Sequence, residues 1–455
     1  MNKPTVRFDT DAILAQDDHL IHSFANLDGI RARQARTVIA RAKGPYVYDA
    51  GGRRYIDGIG GLWCVNIGHG RQEVADAVAD QLRNLDYYST FYNLTHPLAA
   101  ELSEKITSLA PGSLNRVYFG NSGSVANDSA VRMLHRYFNR RGEPSRRKIL
   151  SRIGAYHGST HLAIALTTPQ YREGWHSADD LVEFLSSPYP YRRPENMEVA
   201  EFCDFLVDEM RERIEQIGAE NIAGFIAEPI LGAGGVIVPP PGYHRRTWEL
   251  CGEYGIKMIS DEVVTAFGRL GYMFASQAAY GIEPDIICTA KGLTSGYQPM
   301  SATIVSDDIY EMLSQPGDMF LHGMTYSGHP ACCAAALANI GIIEREDICG
   351  HVQSVGLEFQ QGLKALERHD IVGEVRGSHF MMGSEFVRDK VSKQPFDAAD
   401  NIGGLVARHA QDRGLIVRPL GSMAVLSPCL TLSREEVGQV IGILDESIAG
   451  AMADL

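Results

Sequence analysis

A lysine stands just past an apolar strand pattern in the middle of the chain. Residues 285–289 (DIICT) have the continuous apolar character of a buried strand, and Lys291 follows them after one alanine. Burial at this position would lower the pKa of the amine and make it a nucleophile toward an aldehyde. The alternative is a structural role, in which the lysine extends its charged end into solvent.

An aspartate occupies the same kind of position one strand earlier. Asp261 ends the apolar run 257–260 (KMIS) and precedes Lys291 by 30 residues, enough for one strand–helix–strand crossover. Both side chains are then expected at the carboxyl edge of a parallel sheet, where ligands bind in such folds. A buried aspartate can hold a pyridinium N–H and keep it protonated. Its alternative role is to cap the following helix.

A third pattern is typical of an anion site. The short strand pattern at 117–119 leads into the small-residue turn 120–124 (GNSGS), and a helical pattern follows from Val125 onward. Free N–H groups at Gly123 and Ser124, the Ser124 hydroxyl and the helix dipole could together hold a phosphate. An ordinary serine-capped helix would give the same pattern.

A fourth residue, Tyr156, follows another strand pattern and could stack on a flat heterocycle or pack in the core. Each pattern alone has a common structural explanation. Together they supply a phosphate cradle at Ser124, a stacking ring at Tyr156, a pyridinium partner at Asp261 and an imine-forming amine at Lys291. This chain order is typical of an enzyme that uses pyridoxal phosphate.

Other nucleotide, nucleophile and metal motifs are missing from the chain. The glycines between 232 and 235 lack the spacing of a dinucleotide fingerprint, and no P-loop pattern occurs. Ser122 misses the spacing of a nucleophile elbow by one position. His157 and His161 stand four residues apart, but no glutamate follows His157 and no third ligand is evident, so no metal is expected.

Composition narrows the classes of protein further. The chain has 455 residues, 45% of them hydrophobic and 22% charged, with a net charge of −14, and it is a poor candidate for binding nucleic acid or anionic membranes. Residues 331–343 are too few to span a bilayer and predict a buried helix. The first 14 residues contain no secretory signal pattern. Eight scattered cysteines favour a reduced, cytoplasmic enzyme.

Strand and helix patterns alternate through the middle of the chain, which predicts an α/β fold with a mostly parallel sheet wrapped by helices. The last 125 or so residues show helix patterns and few long apolar strands. Ser433 and Glu436 form a capping box, and an apolar face follows it. The strand candidates are residues 116–120, 224–230, 257–260, 285–289 and 301–306.

We therefore expect a large central domain over residues 71–330 and a smaller α/β domain built from both chain ends, 1–70 and 331–455. From about Asp17 to the terminal helix, the chain strongly resembles the class III (ω-) aminotransferases of the aspartate aminotransferase fold type. The stretches that carry the resemblance are GLWCVNIGHG, FGNSGSVAND, AYHGST, AEPILGAGGVIVPPPGY, SDEVVTAFGRLG, TAKGLTSGYQPM and HGMTYSGHP. The resemblance implies pyridoxal phosphate as cofactor, fold type I and transamination.

Roles for individual residues follow from the same resemblance. Lys291 resembles the lysine that holds the cofactor as an imine, and Asp261 the partner of the pyridine nitrogen. Thr325 resembles a phosphate ligand that the neighbouring subunit contributes. The resemblance therefore implies a homodimer, or a tetramer made of two dimers. The other residues matched to cofactor contacts are Val263 on the ring face, Tyr156 as the stacking ring, and Gly123 and Ser124 at the phosphate.

The resemblance also predicts the substrate pocket. Leu62, Trp63, Phe91 and Tyr156 match its lining. Arg418 matches a mobile arginine that binds a substrate carboxylate and swings away for uncharged amines; otherwise it is a surface arginine near a turn.

Four positions depart from the family pattern. Val125 replaces a common glutamate, whose partner must then be arranged differently, and Thr265-Ala266 replaces a common Cys-Gly. Ala233 stands where relatives that use 2-oxoglutarate commonly have a glutamate. Ala233 together with Arg418 therefore favours the branch that uses pyruvate.

The resulting interpretation is a transaminase that moves an amino group from an ω-amino acid or primary amine to pyruvate. The alternatives with the same fold are a 2-oxoglutarate-dependent transaminase of the GABA or diamine type, an aminomutase and a decarboxylase. A non-enzymatic cofactor-binding protein would be expected to lack Lys291, Asp261 or Thr325, and all three are present. The sequence leaves the physiological amine open.

Overall fold

The computed structural model describes residues 8–32 and 36–455. The first seven residues, which carry part of the expectation about a secretory signal, lie outside the described residues. Within the described ranges, no helix is both long enough and apolar enough to cross a membrane.

The strands alternate with helices through the middle of the chain, as the sequence predicts. The strands are β1 Ile39–Lys43, β2 Tyr46–Asp49, β3 Arg54–Asp57, β4 Leu114–Gly120, β5 Lys148–Arg152, β6 Val182–Leu185, β7 Ile222–Ala227, β8 Lys257–Asp261, β9 Ile286–Thr289, β10 Ser301–Ser306, β11 Val372–Ser378, β12 Met381–Asp389, β13 Gln394–Pro395, β14 Leu415–Ile416, β15 Arg418–Pro419 and β16 Met423–Leu426.

The α-helices are α1 Thr10–Asp17, α2 Leu27–Arg31, α3 Gly60–Trp63, α4 Gln72–Asn84, α5 Pro97–Leu109, α6 Gly123–Arg140, α7 Ala163–Leu166, α8 Val199–Ile217, α9 Tyr243–Glu253, α10 Ala275–Tyr280, α11 Asp307–Leu313, α12 Pro330–Arg345, α13 Ile348–His351, α14 Leu357–Lys364, α15 Ile402–Asp412 and α16 Arg434–Ala453. The five predicted strands correspond to β4, β7, β8, β9 and β10, and the predicted buried helix is α12. The capping box of α16 forms at Ser433 and Glu436 as expected.

A seven-stranded sheet occupies the centre of the molecule, in the order β4-β10-β9-β8-β7-β5-β6. Strands β5 to β9 are parallel, and β10 runs antiparallel to both of its neighbours. Ile226 packs in one core with helix α6, and the adjacent Phe225 packs in another with α8 and α9. Both faces of the sheet are therefore covered, which explains why its strands lack polar alternation. The predicted α/β class is confirmed.

Two smaller sheets are built from the chain ends. Strand β14 pairs in parallel with β3, so that the N-terminal and C-terminal segments share a sheet of order β1-β2-β3-β14. A second sheet has the order β11-β12-β16-β15, and β13 pairs with β12. The sequence analysis underestimated this region, because β12 contains Gly383, Ser384 and Glu385 and does not resemble an apolar strand. The domain boundaries stay a prediction.

Candidate active site

The parallel strands β8 and β9 bring Asp261 and Lys291 to one edge of the central sheet. Asp261 is the last residue of β8 and stands opposite Cys288 of β9, and Lys291 follows the end of β9 by two residues. Both residues therefore lie at the carboxyl edge, as the sequence predicted. The backbone of Lys291 has a positive φ of 35°, a conformation that costs energy for a residue with a side chain and is often found at functional sites.

The carboxylate of Asp261 is buried and held by three hydrogen bonds. Its Oδ2 accepts from Nδ1 of His157 at 2.7 Å and from Nδ2 of Asn127 at 2.8 Å, and its Oδ1 accepts from the backbone N–H of Val263 at 3.1 Å. The side chain is only 4% exposed. The Val263 contact caps the turn that follows β8, and it leaves Oδ1 able to accept from a ligand as well. The next helix, α10, begins only at Ala275, so the alternative that Asp261 caps a following helix is wrong.

His157 and Asn127 are therefore site residues whose role the sequence analysis missed. His157 was weighed only as a metal ligand, whereas its Nδ1 donates to Asp261. Asn127 also donates to the carbonyl oxygen of His157 at 2.7 Å, so the two residues and the carboxylate form one buried unit. The signal was present in the stretches FGNSGSVAND and AYHGST, but only the fold brings them together.

Lys291 is half-buried, and its amine has no hydrogen bond or ion pair to any residue within 8–32 and 36–455. Burial lowers the pKa of Lys291 below its usual value, and the negative charge of Asp261 opposes this effect only in part. A lysine with a lowered pKa is more often unprotonated and nucleophilic.

The N-terminus of α6 faces the same edge. The hydroxyl of Ser122 accepts from the N–H of Val125 at 3.3 Å, which leaves the first-turn N–H groups of Gly123 and Ser124 without an intrahelical partner. A Cβ atom on Gly158, whose φ is +136°, would lie 2.3 Å from the Ser124 hydroxyl oxygen, so only glycine fits there. The described residues thus leave a compact anion cradle at this helix end.

One packing contact and one hydrogen bond position the remaining cofactor-site residues. A Cβ on Gly123 would lie 3.0 Å from both methyl groups of Val263, so these two residues are in contact across the site. The Tyr156 hydroxyl is 2.9 Å from the hydroxyl of Ser159. Val125, the departure from the family pattern, packs its side chain against Gly120.

Glu228 is a further buried carboxylate that the sequence analysis did not single out. Its Oε1 accepts from the backbone N–H of Tyr156 at 3.0 Å, and its Oε2 accepts from the N–H of Gly232 at 2.9 Å. Burial raises the pKa of Glu228 above its ordinary value, although the nearby His157 lowers it. Glu228 ties the segment of the stacking tyrosine to the loop that contains Ala233.

The predicted carboxylate-binding arginine lies over an aromatic ring. The guanidinium carbon of Arg418 is 5.7 Å from the centre of the Trp63 ring. Within the described ranges the Arg418 guanidinium has no ion pair and no hydrogen bond. Trp63 is buried, whereas its neighbour Leu62 is 58% exposed. The unpaired guanidinium of Arg418 therefore lies beside the apolar ring of Trp63.

Phe91 and Thr325 lie together in a different part of this chain. The ring of Phe91 packs against Gly323, and the carbonyl oxygen of Thr325 accepts from the Tyr87 hydroxyl at 2.7 Å. Within the described ranges, no hydrogen bond, ion pair or ring contact joins either residue to Lys291, Trp63 or Arg418. That Phe91 and Trp63 line one pocket therefore stays a prediction.

An aromatic cluster beside the site was also missed. The Tyr156 ring centre lies 5.3 Å from that of Tyr171 and 6.0 Å from that of Phe24. Phe24 is 70% exposed and has a positive φ of 52°, so its ring projects from the surface over the two tyrosines. Its signal in the sequence was weak, because Phe24 lies in the connection between α1 and α2 and belongs to no motif.

These residues fit pyridoxal phosphate. Lys291 offers an unpaired amine, the first turn of α6 offers free N–H groups for the phosphate, and Asp261 offers a fixed carboxylate for the pyridine nitrogen. Nε2 of His157 and Oδ1 of Asn127 are buried without partners in the described chain. Such polar atoms need a further partner, which a bound group or water can supply.

Comparison with known proteins agrees with this fit. The family model for class III aminotransferases matches residues 30–448. The chain belongs to this family.

Class III aminotransferases use pyridoxal phosphate, and this enzyme is therefore a pyridoxal-phosphate-dependent transaminase. The chain is 38% identical over 443 residues to the putrescine–pyruvate aminotransferase of Pseudomonas aeruginosa, covering 96% of each protein. It also matches a diaminobutyrate–2-oxoglutarate transaminase of Halomonas elongata, with 38% identity over 90% of each protein.

Solved structures of class III relatives superpose closely on this chain. An (S)-enantioselective ω-transaminase from Thermomicrobium roseum has a TM-score of 0.94 and 41% identity, over 98% of this chain and 99% of that one. An ω-transaminase from Pseudomonas jessenii, solved in complex with PMP, has a TM-score of 0.94 and 35% identity, over 97% and 98%. The fold is that of the fold type I transaminases, as the sequence predicted.

Replacing Lys291 with alanine tests the assignment of the reactive amine. We expect the parent enzyme to retain cofactor covalently after borohydride reduction, with the mass added to the peptide that contains Lys291. Lys291→Ala should retain none, because the unpaired amine is gone, and Lys364→Ala, which changes an exposed lysine, should behave as the parent. A reducible link at another lysine in Lys291→Ala would show that the assignment is wrong.

Proposed function

We propose that this enzyme transfers an amino group from a primary amine or ω-amino acid to pyruvate, giving an aldehyde or ketone and alanine. The observation that carries this proposal is the guanidinium of Arg418, which lies over Trp63 without an ionic partner in the described chain. A small keto acid would bring the missing carboxylate. An uncharged amine donor would leave the arginine unpaired, as it is in this structure.

Each site residue has a separate role in the reaction. When bound, pyridoxal phosphate supplies an electron sink that stabilises the charge left after a proton leaves the carbon next to the amino group. Asp261 would keep the pyridine nitrogen protonated, and the first turn of α6 at Gly123 and Ser124 would hold the phosphate. Tyr156 and Val263 would contact the ring. Nζ of Lys291 would bind the cofactor and, when free, would accept the substrate proton and return it.

Pyruvate fits the geometry around Arg418 better than a longer dicarboxylate. Ala233 offers only a methyl group, and its carbonyl oxygen accepts from the Tyr171 hydroxyl at 3.4 Å. The acid closest in sequence to this loop, Glu228, is bound to two backbone N–H groups and not to Arg418. No feature of the site favours 2-oxoglutarate, although transaminases for γ-aminobutyrate and diaminobutyrate are among the relatives.

The amine donor is identified by a direct assay. A panel of β-alanine, longer ω-amino acids, taurine, putrescine and arylalkylamines is incubated with pyruvate, and the alanine formed is measured. Donors with a carboxylate would compete with pyruvate for Arg418, whereas uncharged amines would not.

Replacing Arg418 with alanine should separate these two classes. The KM for pyruvate and for ω-amino acids should rise by the equivalent of about 1.5–3 kcal/mol, because a charge-assisted hydrogen bond is lost. The half-reaction with an uncharged amine should change much less. Stopped-flow measurement of each half-reaction distinguishes the effects, and Arg408→Ala, which removes an exposed arginine of α15, serves as the matched control. Equal slowing of both half-reactions would mean that Arg418 supports the fold or the cofactor instead.

We propose further that a second copy of the chain completes the site. A surface cleft of about 1020 Å³ is lined by Phe91 and by Gly323 and Ser327, which flank Thr325 in the sequence. Its surroundings are unusually apolar for a surface exposed to water. The large exposed side chains there are Tyr88, Tyr92, Leu94, Met319, Phe320, Leu321 and Tyr326. A homodimer would cover them and bring Phe91 and Thr325 of one subunit to the Lys291 site of the other.

A charge placed on this surface should prevent the dimer without unfolding the chain. Leu321 is 77% exposed, so Leu321→Asp should cost the single chain little stability. We expect light scattering after gel filtration to report a dimer or tetramer for the parent and a monomer of low activity for Leu321→Asp. Val391→Asp, at a position that is 92% exposed, should leave mass and activity unchanged. A fully active Leu321→Asp monomer would contradict the shared site.

The cysteines support a reducing compartment, and we propose the cytoplasm. All eight cysteines are free thiols in the structure. Burial raises the pKa of Cys429 to about 11 and that of Cys333 to about 12, so these thiols stay protonated and unreactive at neutral pH.

A further inference from the structure

A buried ion cluster joins the C-terminal sheet to the loop beside the substrate pocket. Its centre is Arg376 of β11, which is 7% exposed. One guanidinium nitrogen, Nη1, donates to Glu385 at 2.6 Å and to Glu374 at 2.9 Å. Glu385 also accepts from Arg192 and from the Tyr189 hydroxyl. The cluster thus contains two arginines and two glutamates, and their charges balance.

A further donor of Arg376, Nε, reaches the pocket loop, residues 231–237. Nε of Arg376 donates to the carbonyl oxygen of Gly235 at 2.7 Å. Gly235 has a φ of +114°, and a Cβ on it would lie 2.9 Å from Nη2 of the same arginine and 2.9 Å from the sulfur of Met423. The guanidinium therefore lies directly against the backbone of the loop.

The other end of this loop supports the ring beneath Arg418. A Cβ on Gly232 would lie only 2.4 Å from the Trp63 ring, so the loop backbone and the indole are in close contact. Within the loop, Val236 donates its N–H to the carbonyl oxygen of Gly232 at 3.0 Å. The loop is therefore a hydrogen-bonded turn that lies between Arg376 and Trp63.

The C-terminal sheet completes the path of contacts between Arg376 and Arg418. Arg418 of β15 pairs with Val425 of β16, and Met423 of the same strand is 3.1 Å from Nη2 of Arg376. The contacts run from Arg376 through the loop and Trp63 to Arg418 and return through β16. A closed ring of this kind fixes the distance between the loop and the strand that bears Arg418.

We propose that Arg376, held by Glu385, is a positioning residue that sets the width of the pocket between the 231–237 loop and Arg418, and thereby the affinity for small carboxylate substrates. It does so through the loop backbone and does not touch the substrate. The planar guanidinium suits this task because it binds a carboxylate and a carbonyl at fixed angles at the same time. This inference rests on the proposed function, in which Arg418 binds the acceptor carboxylate.

The decisive variant is Arg376→Lys, which keeps the charge but cannot make both contacts in the same geometry. Hydrogen–deuterium exchange of the amides in 231–237 should become at least about tenfold faster, because their hydrogen-bonded loop loses its anchor. The KM for pyruvate should rise about tenfold while kcat for an uncharged amine half-reaction stays within about twofold. Glu385→Gln should shift both readouts in the same direction, since the guanidinium is then less firmly held.

Glu374→Gln is the matched control, because it removes the more exposed carboxylate from the same guanidinium and leaves Glu385 and Gly235 in contact with it. It should leave loop exchange and KM as in the parent. The proposal is rejected if Arg376→Lys and Glu385→Gln behave like this control, or if exchange rises evenly throughout the protein. It is also rejected if both half-reactions slow equally, or if neither variant accumulates as folded protein, since the cluster would then serve stability.

The exchange measurement needs no acceptor, so the two proposals fail in different ways. A parent enzyme that forms no alanine from pyruvate would contradict the proposed function. The hydrogen–deuterium exchange of 231–237 would then still test the positioning role of Arg376. A parent that does form alanine, with unchanged loop exchange in Arg376→Lys, would contradict the positioning role of Arg376 alone.

Discussion

The site depends on one buried negative charge, the carboxylate of Asp261. The carboxylate of Asp261 is 4% exposed, and an isolated charge at such depth is costly. His157, Asn127 and the N–H of Val263 stabilise it with hydrogen bonds at 2.7–3.1 Å. The same donors fix its direction, so that a heterocyclic nitrogen meets a preorganised partner and little reorganisation is needed during the reaction.

The surrounding elements can be understood from this constraint. Parallel strands β8 and β9 bring Asp261 and Lys291 to the same edge, and α6 adds positive charge at its N-terminus beside them. Helices cover both faces of the sheet, which excludes water and lowers the pKa of the Lys291 amine. Arg418, which we propose binds the acceptor, lies in β15 of the C-terminal sheet and not in the central sheet that bears Asp261.

The features that could be predicted are those that depend on short, continuous stretches of sequence. Strand β10 was predicted with the bounds that it has, and the Ser433 cap and the positions of Asp261 and Lys291 follow from local patterns. The missed contacts join residues far apart in the chain, such as His157 with Asp261 and Arg376 with Gly235. Strand β12 was missed because Glu385 is unfavourable in a buried strand until Arg376 and Arg192 neutralise it. The place of Phe91 in the substrate pocket stays a prediction, because a motif does not show which subunit supplies a side chain.

The most direct test of this account is the rate of the amine half-reaction in Asp261→Asn, measured by stopped-flow on enzyme that has been shown by absorbance to retain cofactor. A neutral amide cannot keep the pyridine nitrogen protonated, and the expected loss of transition-state stabilisation is about 3–4 kcal/mol. Cofactor should still bind through the α6 cradle and Lys291. A rate within about twofold of the parent would contradict the central role of the buried carboxylate.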